Sequence, residues 1–461
     1  MVDLLNYAHE YRKVYTMYRV LLAVCCLGVG WISSCASRPG VSQREFRQQI
    51  AESPVFGQSF TGFALYDTER QETVYEYQAD KYYTPASNTK IFTLFAGLTL
   101  LGDSLPAFQY EHRGDTLIFT GTGDPTLLHP DIQSIDTTYR PAVYQFLQQH
   151  EGPLLYAVRP IRDAHFGPGW AWDDYGYYYA TEKSVMPAYA NVVRFQFKKD
   201  MAKPLAYPGF FTSYIDGFAD TTRRPPNVHR MQHENRYEYG VKEDTLAFTQ
   251  DVPFIPSTEL LLELLQDTLH REIRLYGKPY AHYSQTCYSV PSDSVYQRMM
   301  QLSDNFVAEQ LLLLCSSLQQ DTLSTKWTIE HITENYLQNL PDRPVWVDGS
   351  GLSRYNLQTP RTMVAMLQKI DSLLGDERIR TIFPAGGVSG TVEEWYTNPV
   401  GEPYLFAKTG TLSGKHCLSG FLYTKGGKKL IFSFMHNNYT TSSSVFKVEM
   451  ARILRRIYEE Y

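Results

Sequence analysis

The stretch Pro85-Ala86-Ser87-Asn88-Thr89-Lys90, running straight into Ile91-Phe92-Thr93-Leu94-Phe95, restricts this chain more than any other. Pro85 and Ala86 end an extended segment, and the apolar run predicts a buried helix with Ser87 in its first turn. Residues three apart share a helix face, so the Lys90 amine meets the Ser87 hydroxyl. A serine hydroxyl is a weak nucleophile until a neighbouring base takes its proton. A buried lysine loses its own proton near neutral pH and can become that base. The free N–H groups of a helix N-terminus suit a developing oxyanion. Alone the pattern decides little, because Ser-x-x-Lys arises by chance about once or twice in a chain of this length.

The setting of that stretch narrows the possibilities. Arg12, Lys13 and Arg19 precede an apolar run over 20–32 that is too short to span a membrane comfortably. It ends in Ile32-Ser33-Ser34-Cys35, which resembles a bacterial lipobox. Cleavage there would leave Cys35 as a lipid-carrying first residue. An ordinary signal peptide and an uncleaved anchor are the alternatives, and Met17 is an alternative start. An exported, periplasmic protein held to a bacterial membrane through Cys35 is expected. Cys287, Cys315 and Cys417 remain after the export segment, an odd number that permits one disulfide at most. No cysteine–histidine group has metal-site spacing, so no metal and no cofactor are expected. A formal net charge of −6 gives no footprint for nucleic acid.

Along the chain, Ser42 and Glu45 have capping-box spacing at the start of a helix over 42–52. Residues 60–66 and 72–77 predict a hairpin around a turn at 67–71. The Ser87 helix follows, a compact opening for a mixed α/β core. Thr116 to Thr120 reads as a strand leading into the tight turn Gly121-Thr122-Gly123-Asp124-Pro125-Thr126-Leu127. Short strands, turns and aromatics then continue to about 252, with Trp170, Trp172 and the Tyr177-Tyr178-Tyr179 run expected in the core of this region. Ser257 caps a helix over 257–276 with leucines at 260, 261, 264, 265 and 269. A helix over 293–302 breaks at Ser303-Asp304-Asn305 and resumes over 306–314. A short strand over 345–347 and a helix over 359–374 come next. Then a strand over 404–408, a hairpin of 418–424 with 429–435, and an amphipathic helix bearing Phe446, Met450, Ile453 and Ile457 complete the chain. The expected division is an export segment (1–35), a first core part (36–100), an inserted mainly β region (101–252) and a second core part (253–461).

Three short motifs now stand in order: Ser87-x-x-Lys90, Ser303-Asp304-Asn305 and Lys408-Thr409-Gly410. Each of the last two arises by chance in roughly one chain in ten of this length. Together, in a helix start, an inter-helix turn and a strand, they resemble the serine acyl-transferase signature of penicillin-binding proteins and class A β-lactamases. The separation of 216 positions from Ser87 to Ser303 narrows the resemblance to the penicillin-binding protein 4 type of D-alanyl-D-alanine carboxypeptidase, peptidase family S13. Gly123-Asp124-Pro125-Thr126-Leu127, Trp172-Asp173-Asp174, Asp348-Gly349-Ser350-Gly351-Leu352-Ser353-Arg354 and Lys408-Thr409-Gly410-Thr411-Leu412-Ser413-Gly414 agree with it. The chain departs at Lys415-His416-Cys417, where small or apolar residues would be expected.

The resemblance implies an α+β, β-lactamase/transpeptidase-like fold with an antiparallel sheet and helices, carrying a large insertion. It implies a serine D-Ala-D-Ala carboxypeptidase, with a DD-endopeptidase activity also possible through the same acyl-enzyme, acting on peptidoglycan stem peptides and inhibited by β-lactams. Ser87 would be the nucleophile, Lys90 the general base and Ser303 a proton relay. Asn305 would bind the substrate amide and Lys90, and Lys408 would lower the pKa values of the other amines and attract the terminal carboxylate. Thr409, Gly410 and Thr411 would line the carboxylate site, with the N–H groups of Ser87 and Thr411 as the oxyanion hole. Asp124 and Arg354 complement the zwitterionic end of a diaminopimelate side chain. Their alternative roles are turn former and local salt-bridge partner. A β-lactamase would need a deacylating glutamate, and no Glu-x-x-Leu-Asn segment lies between the second and third motifs. An inactive peptidoglycan-binding lipoprotein would have no need of all five polar residues.

Overall fold

The computed structural model describes residues 43–132, 142–198, 201, 203–217, 228–240, 247–398 and 401–461. The export segment, Cys35 and the Ser42 cap lie outside the described residues. No described helix is long and apolar enough to cross a membrane.

The protein is an α+β fold built on a five-stranded antiparallel sheet. Its strand order is Leu405–Leu412, Lys415–Tyr423, Lys429–Asn437, Phe60–Asp67, Glu72–Tyr77. The strands Lys415–Tyr423 and Lys429–Asn437 are almost wholly buried. The reason is that both faces are covered. Ala64, Ile431 and Met435 face a helical layer that includes Lys90–Leu100, Asn305–Ser317 and Pro360–Ile382. Phe63, Leu65, Phe432 and Phe434 face the helices Gln43–Ala51 and Ser443–Glu460. A strand buried on both faces reads as a continuous apolar run rather than a clean alternation. Phe446, Met450, Ile453 and Ile457 all point into this second layer, as their spacing predicted.

The intervening region has a core of its own, with Phe108, Phe119, Phe195, Phe211 and Tyr237 at its centre. Its main sheet runs Ile273–Leu275, Leu154–Tyr156, Thr116–Gly121, Ser104–Arg113, Gln285–Pro291. Two of these strands lie past the boundary expected at 252. Leu264, Leu265 and Ile273 pack with Phe108, so this region runs on to about 291. It also contains the helices Ala142–Gln149 and Thr258–Leu269. The latter starts where expected, with Ser257 Oγ accepting from Leu260 N. It stops at Leu269 rather than 276 because His270 turns left-handed, at φ 52°, and Ile273 is drawn into the sheet. The strand expected over 345–347 is a single bridge, Val345 to Leu357. The 359–374 helix runs on to Ile382 through a break at Gly375, where φ is 70°.

Candidate active site

Ser87 sits in a 3₁₀ turn, Ala86–Thr89, that feeds the helix beginning at Lys90. Ala86 is left-handed, at φ 48°, which swings Ser87 out of the extended segment. Asn88 fastens the turn from behind: its Nδ2 donates to the carbonyls of Lys408 (3.1 Å) and Cys417 (3.4 Å). Two glycines let the neighbouring chain come this close. A Cβ on Gly410 would lie 2.4 Å from Pro85 O, and one on Gly351 would lie 1.9 Å from Ala86 O.

Lys90 is fully buried. Its Nζ lies 2.6 Å from Asn305 Oδ1, 2.7 Å from Ser350 O and 3.1 Å from Ser87 Oγ. Burial pushes this amine down to about 8, against the pull of Asp348, Glu309 and Asp304. A neutral amine has two N–H donors and one lone pair. The two shorter contacts go to pure acceptors, so the lone pair is left for the Ser87 O–H. Lys408, also buried, donates to Ser303 Oγ (2.9 Å) and Thr409 O (2.8 Å). Burial and the nearby Lys90 both push it well below the usual lysine value. Ser303 is left-handed, at φ 57°, and ends the Ser292–Gln301 helix. Asp304 then caps the next helix, accepting from Val307 N, and receives Arg298 Nε at 2.9 Å. Asn305 Nδ2 donates to Tyr179 O (2.8 Å), so the inserted region closes over the second motif.

These residues border a cleft of about 730 Å³ lined by Ser87, Ser303, Asn305, Arg354, Thr391 and Thr411, with Tyr178 and Tyr179 on its rim. Thr411 is exposed to it. Thr409 is largely buried and donates at 2.7 Å to Thr391 Oγ1, a residue of the cleft wall. Gly410 serves by being small. Arg354 lines the cleft, but Asp124 does not. Asp124 is buried, its carboxylate accepting from Thr126 N and Thr126 Oγ1 (both 3.0 Å), and burial pushes it up to about 6. It is the turn former, because an aspartate at a turn apex can bond its own backbone two residues on.

Several functional contacts were not legible beforehand. Asp348 is the hub of the 348–356 loop, accepting from Gly351 N, Ser353 N, Asn356 Nδ2 and Trp170 Nε1 at 2.7–2.9 Å. Trp170 is therefore a strut between the inserted region and the wall behind Lys90. The expected core role of its neighbours also fails: Trp172 is 77% exposed, and Tyr178, which lines the cleft, is 66% exposed. Glu309 Oε1 accepts from Ser350 N, whose own carbonyl receives Lys90. An acid at this helical position carries no spacing signal in sequence. The three remaining cysteines are free.

Comparison with known proteins identifies the family. Residues 43–457 match the family described as D-Ala-D-Ala carboxypeptidase 3 (S13). The chain is 24% identical over 454 residues to D-alanyl-D-alanine carboxypeptidase DacB of Haemophilus influenzae, covering 87% of this chain and 91% of that one. It is 25% identical over 473 residues to the D-alanyl-D-alanine carboxypeptidase of an Actinomadura species, covering 91% and 86%. The crystal structure of penicillin binding protein 4 from Haemophilus influenzae has the same fold, with a TM-score of 0.70 at 21% identity over 91% of this chain and 100% of that one. With its family pattern matched from residue 43 to residue 457, the chain is a carboxypeptidase belonging to the D-Ala-D-Ala carboxypeptidase 3 (S13) family.

Proposed function

We propose that Ser87 forms an acyl-enzyme with the penultimate D-alanine of a peptidoglycan stem peptide and releases the terminal D-alanine. The observation that carries this is the buried Lys90 amine, 3.1 Å from Ser87 Oγ with its donors already engaged elsewhere. Lys90 takes the Ser87 proton as Oγ attacks the carbonyl carbon. The oxyanion is received by the N–H groups of Ser87 and Thr411. As the C–N bond breaks, Ser303 gives its hydroxyl proton to the departing amine. It is reprotonated from the lysine pair, which holds the proton taken from Ser87. The Lys408 bond to Ser303 Oγ keeps that hydroxyl proton free to point into the cleft. Water then hydrolyses the ester. Thr411 receives the substrate carboxylate, and β-lactams acylate the same serine.

The wider reading is of an export segment removed before Cys35 and a lipid anchor on that cysteine, which would hold the enzyme in the periplasm. The catalytic unit comprises residues 36–100 and the chain beyond the inserted region, whose end we set near 291. The test is the intact mass of a soluble form, starting at Ser37, after incubation with benzylpenicillin. One stable penicillin adduct is expected, absent in Ser87→Ala. Penicillin hydrolysed without an adduct would mean a β-lactamase. Penicillin left unconsumed would mean a binding protein.

Arg354 gives a narrower expectation, since it lines the cleft and its guanidinium would suit a side-chain carboxylate of the stem peptide. Arg354→Ala is expected to lower kcat/KM about tenfold for a diaminopimelate peptide and little for its lysine counterpart, one charge-assisted hydrogen bond being worth about 1.5–3 kcal/mol. Equal losses on both peptides would remove the assignment.

A further inference from the structure

The central sheet carries four polar side chains in one row across four adjacent strands. Register sets Thr411 opposite His416, His416 opposite His436, and His436 opposite Thr61. Thr411 Oγ1 and His416 Nδ1 are 2.9 Å apart, as are Thr61 Oγ1 and His436 Nδ1. Both rings are fully buried, and each Nε2 is buried without a hydrogen-bond partner among the described residues. Burial, with Lys447 nearby, pushes His416 down to about 3. Burial beside His416 pushes His436 well below the usual imidazole value. Both rings are therefore neutral, with one N–H and one lone pair each.

The tautomer follows from the unpartnered atoms. A buried N–H left without an acceptor is rarer than a buried acceptor left without a donor. The proton therefore belongs on Nδ1, where a threonine oxygen waits, and not on Nε2. At the far end this arrangement closes consistently, because the Thr61 hydroxyl has an acceptor of its own in Phe56 O at 3.3 Å. At the near end it decides how the cleft is lined. A threonine hydroxyl has one proton to give. If Thr411 spent it on His416, it would offer only lone pairs to an anion.

We propose that His416 is a positioning residue: its Nδ1–H donates to Thr411 Oγ1 and turns the Thr411 hydroxyl proton into the cleft, toward a substrate carboxylate. This rests on the reading that Thr411 receives the terminal carboxylate. It makes the enzyme's preference for a free C-terminus depend on a buried side chain that never touches substrate.

The test compares a peptide ending in free D-Ala-D-Ala with its C-terminal amide, on wild type, His416→Leu and His416→Asn. Asparagine places an N–H donor close to the position of Nδ1. The wild type is expected to prefer the free acid. His416→Leu is expected to lose about tenfold on the acid, mainly in KM, and little on the amide, the size of one hydrogen bond to a charged group. His416→Asn is expected to recover most of the loss. Equal losses on both peptides in His416→Leu, or no recovery in His416→Asn, would overturn the inference while leaving Thr411 its role. A wild type that treats both peptides alike would overturn the Thr411 assignment and this inference with it.

Discussion

Lys90→Met is expected to lower the rate of acylation by benzylpenicillin by at least about 10²–10⁴-fold, the range over which a positioned general base contributes. Methionine keeps the length and apolar stem of lysine, so the helix Lys90–Leu100 has no steric reason to move. What disappears is the atom between Ser87 Oγ, Asn305 Oδ1 and Ser350 O. Two acceptors lose their donor, which costs stability, while the cost of burying an amine is relieved. The circular dichroism spectrum should therefore be native. The wild-type rate carries the complementary signature. With Lys90 pushed down to about 8, the amine is an ammonium below that pH and cannot accept the serine proton. Acylation should rise as pH increases through about 8 and then level off. Stopped-flow or quench mass measurements across that range check both claims. A Lys90→Met protein acylating within tenfold of wild type would remove Lys90 as the base.

Gly351→Ala is expected to damage the fold and the chemistry together. Gly351 has φ of +81°, which an L side chain adopts only at a cost of roughly 1–2 kcal/mol. Its added Cβ would also fall 1.9 Å from Ala86 O, in the strained turn that carries Ser87. Backbone on both sides has to shift, so a loss of about 3–5 kcal/mol is expected, with acylation falling at least 10²-fold through misplacement of the nucleophile. Gly427 is the control. Its φ is +87°, yet nothing lies within 4 Å of the position of a Cβ. Gly427→Ala should cost only the backbone term and leave acylation unchanged. Thermal melts and penicillin acylation rates on the two variants separate strain from collision. If both variants acylate alike, the contact between Gly351 and the Ser87 turn has no part in activity.

What could be read from the sequence was local. Ser87 and Lys90 are three residues apart, so one turn of chain fixes their meeting. The same holds for the 60–77 hairpin, the capped helix after Ser257 and the break between two helices at 303–305. The resemblance supplied Ser303, Asn305 and Lys408, and the structure gathers all three around Lys90 and Ser87. The failures share a physical cause, which is that they depended on partners distant in sequence. Gln285–Pro291 pairs with Ser104–Arg113, and no periodicity encodes which strand a strand will choose, so the boundary at 252 fell short. Asp124 was paired with Arg354 on charge, but it is buried and takes two hydrogen bonds from Thr126, two residues away. Trp170 and Trp172 look alike in composition; one reaches Asp348 and the other faces solvent.

The order of strands in the central sheet has a consequence for how the enzyme comes into being. Phe60–Asp67, near the start of the described chain, pairs with its neighbour Glu72–Tyr77 on one side and with the remote Lys429–Asn437 on the other. The strand bearing Lys408 reaches the sheet only through Lys415–Tyr423, which lies between them. Such a closure cannot form while the chain is still being made, and bringing together ends this remote is slow. Ser87 and Lys90 are thus both present in the chain well before anything holds them in attacking position. A growing polypeptide carries a dormant nucleophile, and reactivity toward acyl donors switches on late, when the last three strands dock.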